Sequence, residues 1–362
     1  MGIDCLTERS VTFAARKIYI IAEAGVNHDG DLEKAMRLID VAADSGADAV
    51  KFQAFRASQM ASSSAPKAAY QLERTDAGQS QMEMLQQYEL SREAFEMLAE
   101  HARARGIDFI CTPFDDESVD LVADLHPAAI KVSSGDLTNH PLLRRIASKG
   151  YPVILSSGMS TLGEIEDALQ VVRAAKPPLV IVLHCTSNYP ASPESVNLRA
   201  MDTIRRAFAV PVGYSDHTTG LEIPIAAAAL GACVIEKHFT LNKKDAGPDH
   251  AMSLEPDELQ ALVRSVRVVE LALGDGIKRV VDSEVDTRVA ARKSIHLSES
   301  VQAGEVLSLE KLRFMRPGNG IPPSMTDFVI GRRARYALPK GHQLRFSDID
   351  EAAESREIIR QK

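Results

Sequence analysis

The sequence has no C-x-x-C pair among its four cysteines, Cys5, Cys111, Cys185 and Cys233. A C-x-x-C redox motif or a zinc ribbon is therefore excluded; the three later cysteines sit at the ends of apolar runs, as small core residues of a reducing compartment do. No excess of positive charge is present either. The 42 basic residues against 50 acidic ones leave a net charge of −8, which argues against nucleic acid or an acidic membrane surface as a partner. Any anionic substrate must be met by locally placed Lys and Arg. Neither a signal peptide nor a run of about 18 apolar residues occurs, so a cytoplasmic protein without a membrane partner is expected. No Gly-x-Gly-x-x-Gly follows the first apolar run, which weighs against a doubly wound nucleotide-binding sheet.

What is present is an alternation of strand and helix signals. The chain is 362 residues long and 45% hydrophobic, enough for one large domain with a substantial core plus a small one. Strands are predicted at Ile18–Gly25, Ala47–Phe55, Asp108–Thr112, Ala129–Ser133, Pro152–Ser157, Leu179–Cys185, Val210–Tyr214 and Ala232–His238. Amphipathic helices are predicted between and after them, the last at Pro256–Leu273. Eight such pairs have the length and rhythm of a (β/α)8 barrel, and a catalytic barrel over residues 1–277 is expected. The segment from Tyr70 to Tyr88 is a long polar insertion, either a lid or disordered.

The polar residues fall at the C-terminal ends of these strands. They are Glu23; Lys51 and Gln53; Thr112; Lys131, Ser133 and Ser134; Ser156 and Ser157; His184, Ser187 and Tyr189; Ser215, Asp216 and His217; Glu236, Lys237 and His238. In a barrel all these ends open onto one face, where such folds keep their chemistry. Unpaired buried lysine is costly, so Lys51 and Lys131 imply an anion or a carboxylate partner; Glu23 and Glu236 are the candidates within the chain. Between Pro211 and Phe239 two strands flank one Ala-rich helix and end in His217 and His238. Neighbouring parallel strands lie about 4.8 Å apart, so the two imidazoles can share a metal ion. The plainer alternative is a pair of hydrogen-bonded rim histidines.

Residues 278–292 are charged and non-periodic, as in a linker. A module at 293–352 follows, with a weak internal repeat, Val301-Gln-Ala-Gly-Glu-Val-Leu307 against Leu338-Pro-Lys-Gly-His-Gln-Leu344. It is too small to bury much alone. A turn-rich loop inside it, Met315-Arg-Pro-Gly-Asn-Gly320, carries Arg316.

Several stretches together carry a family resemblance: Ala22-Glu-Ala-Gly-Val-Asn-His28, Val50-Lys-Phe-Gln53, Lys131-Val-Ser-Ser-Gly135, Ser156-Ser-Gly-Met159, Tyr214-Ser-Asp-His217, Glu236-Lys-His-Phe239, Gly247-Pro-Asp249 and Arg316-Pro-Gly-Asn-Gly320. Over residues 18 to 350 the chain resembles the sialic acid synthases, which make nine-carbon α-keto acids from phosphoenolpyruvate and an N-acylated mannosamine-type sugar. The resemblance implies a TIM barrel followed by a C-terminal antifreeze-like (SAF) domain that caps the partner's site in a domain-swapped homodimer. It implies a divalent metal, manganese or else magnesium, on His217 and His238. Lys51, Lys131, Ser134, Ser157, Ser187 and Ser215 are then expected to bind phosphoenolpyruvate. Gln53, Tyr189, Asp249 and the partner's Arg316 are expected to hold the sugar. Glu23, Glu236, Lys51 and Lys131 are expected to be catalytic, with the base open between the two glutamates.

The choice of sugar rests on finer features. Bacterial N-acetylneuraminate synthases often carry Asn where Ser187 stands, and Gly247-Pro-Asp-His-Ala-Met-Ser-Leu254 looks more like the legionaminic acid synthases, whose sugar is a 2,4-diacetamido-6-deoxy mannose analogue. N,N'-diacetyllegionaminate is the favoured product and N-acetylneuraminate the alternative. Two further readings compete. A barrel condensing phosphoenolpyruvate with a phosphorylated aldose would need a second cationic pocket, and no spare Lys-Arg pair stands at a strand end. A non-catalytic saccharide-binding protein would not need the lysines and histidines.

Overall fold

The computed structural model describes residues 18–67, 72, 75 and 78–350. Cys5 and part of the Tyr70–Tyr88 insertion lie outside these residues. The chain divides between Asp275 and Gly276 into two compact units.

The first unit is a closed barrel of eight parallel strands in sequential order. They are β1 (Tyr19–Gly25), β2 (Ala49–Ala54), β3 (Asp108–Pro113), β4 (Ala129–Val132), β5 (Val153–Ser156), β6 (Val180–Cys185), β7 (Val212–Asp216) and β8 (Val234–His238). The helices after them are α1 (Leu32–Asp44), α2 (Arg92–Ala104), α3 (Asp116–Asp124), α4 (His140–Ala147), α5 (Leu162–Ala174), α6 (Ala200–Phe208), α7 (Glu222–Ala229) and α8 (Pro256–Leu273). Alternating strand and amphipathic helix is the pattern that closes such a barrel, and the elements fall within about two residues of the expected bounds.

Helix starts follow from local chemistry. The side chains of Asp31, Ser91, Asp115, Asn139 and Thr161 each accept from a first-turn backbone N–H, satisfying donors that a helix leaves open. Each helix turns an apolar stripe inward, as α1 does with Ala35, Leu38, Ile39 and Ala42, all buried. Burying a Leu or Ile side chain is worth roughly 1.5–3 kcal/mol, so this face, repeated around the ring, closes the barrel.

Inside the barrel, period-two alternation does the sorting. One layer of the lumen is apolar: Tyr19, Ile21, Ala49, Ile110, Ala129, Ile154, Ile181 and Val234. Two residues further along, the same faces become polar. Ile21 gives way to Glu23, Ala49 to Lys51, Ala129 to Lys131, Ile154 to Ser156 and Val234 to Glu236. The apolar layer is thus the floor on which the polar groups stand. Asp216 and Lys237, expected among the strand-tip groups of the site, belong to the opposite face: their carboxylate and ammonium meet each other outside the lumen. Of the insertion, Gln81–Gln86 is a helix with a Ser80/Glu83 capping box. Its Met84 and Leu85 pack with Val26, Phe55, Ala57 and Tyr88 in a separate small core.

The second unit holds a two-stranded antiparallel sheet, β9 (Ser294–Leu297) with β10 (Leu312–Met315). The two halves of the internal repeat meet at an antiparallel bridge between Val301 and Leu338, and Leu307 and Leu344 are fully buried in the unit's own core. Residues 285–291, inside the segment expected as a linker, form a short helix exposed along its length. A helix without an apolar stripe leaves no periodic signal in sequence. Among the described residues no helix is long and apolar enough to cross a membrane.

Gly213 in β7 leaves no room for a side chain between Leu183 and Val234. A Cβ there would stand 2.6 Å from the Val234 carbonyl oxygen and 2.7 Å from the Val234 Cβ. Gly213→Ala is expected to destabilise the barrel by about 1–3 kcal/mol through overpacking, lowering the melting temperature by several degrees. An unchanged Tm in a calorimetric scan would contradict this packing.

Candidate active site

The strand tips line one cavity of about 410 Å³. Glu23, Lys51, Gln53, Thr112, Lys131, Ser133, Ser134, Ser156, Ser187, Tyr189, Ser215, His217, Glu236, His238 and Asp249 all contribute. Residues from the insertion and nearby loops, Met60, Met84, Leu85, Tyr88 and Phe114, form a largely apolar wall, with Gln81 beside them.

At its floor four charged groups interlock. Lys51 Nζ lies 2.8 Å from Glu23 Oε2 and 3.7 Å from Glu236 Oε2. Lys131 Nζ lies 3.6 Å from Glu236 Oε1 and donates to Ser156 Oγ at 2.6 Å. Lys51 also donates to Thr112 Oγ1 at 3.2 Å. Gln53 donates to Glu23 Oε1 at 2.9 Å, and Ser215 Oγ donates to Glu236 Oε1 at 2.9 Å. Both lysines are only 3% exposed; ammonium groups this buried persist only with charge partners.

The environment separates the two carboxyls. Burial raises the pKa of Glu23, and the nearby Lys51 ammonium only partly offsets it. For Glu236, burial acts in the same direction, but the ammonium groups of Lys131 and Lys51 outweigh it, so this carboxyl is held below its ordinary value. Lys131 is lowered by burial. Lys51 is raised because its two carboxylates overcome the burial cost. The two carboxyls are thereby shifted in opposite directions.

The two histidines stand side by side, ring centroids 5.5 Å apart, with the Tyr189 ring 4.2 Å from that of His217. His217 Nδ1 donates to the Thr186 carbonyl at 2.8 Å, which leaves Nε2 with its lone pair. His238 Nδ1 is buried with no hydrogen bond and lies 3.9 Å from Asp249 Oδ2. Burial depresses the pKa of His217 to about 4 and lowers that of His238 as well. Two neutral imidazoles with an unbonded buried nitrogen form a donor set that fits a divalent cation. A second group also has ligand atoms within 4.8 Å of one another: Asp29, Asp245 and His250. That group already surrounds a cation, because Lys34 Nζ lies 2.5 Å from Asp29 and 2.6 Å from Asp245. Of the two, the histidine pair is the better donor set, because no ammonium group sits between its ligand atoms.

One expected residue, Ser157, stands apart from this cavity. The Ser157 hydroxyl donates to the Leu183 carbonyl at 2.9 Å. Ser157 lines a neighbouring cavity of about 630 Å³, which shares Met159 and Ser187 with the first. Its neighbour Ser156, expected at the strand tip but not among the phosphoenolpyruvate-binding hydroxyls, is the one bonded to Lys131; strict alternation along β5 points to it. Arg316 belongs to the second unit, where its Nε donates to the Ala291 carbonyl at 3.0 Å. The hydroxyl of Ser134 accepts from the Gly158 N–H at 3.0 Å, with Cys185 Sγ 3.1 Å away. The apolar wall was missed because an irregular insertion leaves no periodic signal.

A pH prediction follows from the buried imidazoles. His28 and His217 both titrate at about 4 because of burial. Unfolding restores a pKa near 6.5, so between these values the unfolded chain binds more protons and stability rises with pH. Acidifying the metal-free protein from about pH 6.5 to about pH 4 is expected to cost up to roughly 3 kcal/mol per histidine. Urea midpoints that stay level across this window would contradict it.

Comparison with known proteins gives this arrangement a context. The chain is 49% identical to the N,N'-diacetyllegionaminic acid synthase of Campylobacter jejuni, over 88% of this chain and 96% of that protein. It is 44% identical to the N,N'-diacetyllegionaminic acid synthase of Legionella pneumophila, over 92% and 94%. Among solved structures, the N-acetylneuraminic acid synthetase of Leptospira borgpetersenii in complex with citrate is 36% identical, with a TM-score of 0.66 over 75% of this chain and 90% of that one. The SAF domain model matches residues 292–350. With the NeuB family model matching residues 38–278, across the strands that supply most of the cavity, the chain belongs to the NeuB family.

Proposed function

We propose that the protein condenses phosphoenolpyruvate with an N-acylated mannosamine-type sugar, releasing phosphate and forming a nine-carbon α-keto acid, N,N'-diacetyllegionaminate. One observation carries this reading: two buried lysines, two unlike carboxyls and two neutral imidazoles line a single cavity. Relatives named N,N'-diacetyllegionaminic acid synthase support the choice of product. N-acetylneuraminate, made from N-acetylmannosamine, is the alternative, supported by the relative of that name. A saccharide-binding protein would gain nothing from the buried ammonium groups.

Phosphoenolpyruvate carries a phosphate and a carboxylate, which charged and hydroxyl donors recognise. Lys51 and Lys131 supply the charge, and Ser134, Ser187 and Ser215 the hydroxyls. Gln53, Tyr189 and Asp249 line the sugar's side of the cavity. A divalent cation on His217 and His238, Mn2+ or else Mg2+, would supply Lewis-acid polarisation of the open-chain sugar's aldehyde oxygen. Carbon–carbon bond formation from C3 of phosphoenolpyruvate to that aldehyde leaves positive charge at C2. Glu236, held ionised, stabilises it. Glu23, whose raised pKa suits a proton carrier, takes the proton of the water that adds at C2. The C2–O bond to phosphate then breaks, the C2 hydroxyl gives its proton to the departing phosphate as the keto group forms, and the proton taken up by Glu23 goes to the former aldehyde oxygen, which becomes a hydroxyl. Arg316 of a partner chain closes over the sugar's N-acyl group in a domain-swapped homodimer of the cytoplasm.

Phosphate release with phosphoenolpyruvate and a panel of mannosamine analogues tests this function. The 2,4-diacetamido-6-deoxy sugar is expected to be the best substrate; no release with any member overturns the reading. Glu23→Gln is expected to lower kcat by about 100-fold or more while phosphoenolpyruvate still binds, and a loss smaller than about three-fold would remove Glu23 from the proton step. Arg316→Ala is expected to raise the sugar KM by about 10-fold, the worth of a charge-assisted hydrogen bond. An unchanged sugar KM contradicts the capping role.

A further inference from the structure

Each imidazole of the proposed metal pair is preceded in the chain by a charged residue that the mechanism leaves unused. Asp216 comes before His217, and Lys237 before His238. In the parallel register of β7 and β8, Asp216 lies directly opposite Lys237, as Ser215 lies opposite Glu236. Alternation therefore turns Ser215 and Glu236 into the lumen and Asp216 and Lys237 to the outer face.

There the two form a closed network. Lys237 Nζ lies 2.6 Å from Asp216 Oδ2 and also donates to the Thr218 carbonyl. Asp216 Oδ1 accepts from the Tyr214 hydroxyl at 3.0 Å, the Thr218 N–H at 3.1 Å and the Thr218 hydroxyl at 2.9 Å. Both charged side chains are at most 1% exposed. A buried ion pair is seldom more stable than an apolar pair of similar size, so its presence among Tyr214, Ile235 and the helices is not explained by stability. What it does, and an apolar pair would not, is direct the backbone. The Asp216 carboxylate gathers Tyr214 and Thr218, so the chain is held on both sides of His217. The Lys237 ammonium joins that turn to β8 one residue before His238. Through-strand bonds of this kind fix how far apart the two rings stand, now 5.5 Å between centroids.

We infer that Asp216 and Lys237 are positioning residues: from the outer face of the barrel they set the separation of the His217 and His238 imidazoles, and with it the affinity for a divalent cation. The inference rests on the reading that these histidines hold the metal. Groups hydrogen-bonded directly to metal ligands govern affinity by about 10- to 100-fold; Asp216 and Lys237 act one step further out, through the backbone beside each ring.

The test is a Mn2+ titration of the metal-free full chain, followed by electron paramagnetic resonance, with circular dichroism and phosphoenolpyruvate affinity measured on the same samples. The double variant Asp216→Asn/Lys237→Met removes both charges at nearly constant volume. It is expected to fold, to bind phosphoenolpyruvate within about two-fold of wild type, and to bind Mn2+ at least about 10-fold more weakly. Tyr214→Phe, which removes a single hydrogen bond to Asp216, is expected to weaken Mn2+ binding about three-fold, the worth of one modest hydrogen bond. A double variant with wild-type Mn2+ affinity, whatever its melting temperature, overturns the inference and leaves the pair as part of the core. If the double variant does not fold, Tyr214→Phe decides, and wild-type affinity in it overturns the inference. His238→Ala separates the two levels. If it binds Mn2+ as tightly as wild type, the histidine reading falls and this inference with it; if it loses the ion while the other variants keep it, only the positioning role is lost.

Discussion

The structure depends on keeping two ammonium groups inside a barrel. A lysine buried without a partner would shed its proton or draw water into the core. Here Lys51 is shared between Glu23 and Glu236, and Lys131 leans on Glu236 and the Ser156 hydroxyl. The pairing is unequal. Glu236 faces both lysines and stays charged, whereas Glu23 has one close cation and is pushed towards its protonated form. One arrangement thus combines two buried ammonium groups, a carboxylate held below its ordinary pKa and a carboxyl raised above it.

The barrel makes this affordable in structural terms because most strands contribute at the same height, β6 keeping the apolar Leu183 beside Ser156. Parallel neighbours in register put Glu23 beside Lys51 and Ser215 beside Glu236. The apolar layer two residues below each group excludes water from underneath, so the charges are strengthened on the side where no ligand arrives. The outer faces of the same strands pack against helices, and Asp216 and Lys237 show that charge is tolerated there when both carboxylate oxygens and the ammonium are hydrogen-bonded.

Much of this was legible in the sequence. The alternation of apolar strand and amphipathic helix marked out all eight units, and the strand-end polar residues named nearly the whole floor of the cavity. Where the reading fell short, the cause was direction. A position at a strand's end does not say which face a side chain takes, so Asp216, Lys237 and Ser157 were grouped with neighbours whose side chains point elsewhere. The apolar wall from Met60, Met84 and Leu85 left no trace because its segments are short and irregular. The helix at Val285–Ala291 escaped because it buries nothing. Tuning was invisible for a different reason: Glu23 and Glu236 are the same residue type, and only their distances to Lys51 and Lys131 tell them apart.

The central claim is that the two buried ammonium groups are held ready for one small dianionic or trianionic ester. Isothermal titration of phosphoenolpyruvate into the sugar-free protein, wild type against Lys131→Met, tests it most directly. The account predicts saturable binding by the wild type and a loss of about 100-fold or more in a variant that remains folded, the cost of removing a desolvated charge partner. Equal affinity in the two proteins would contradict it.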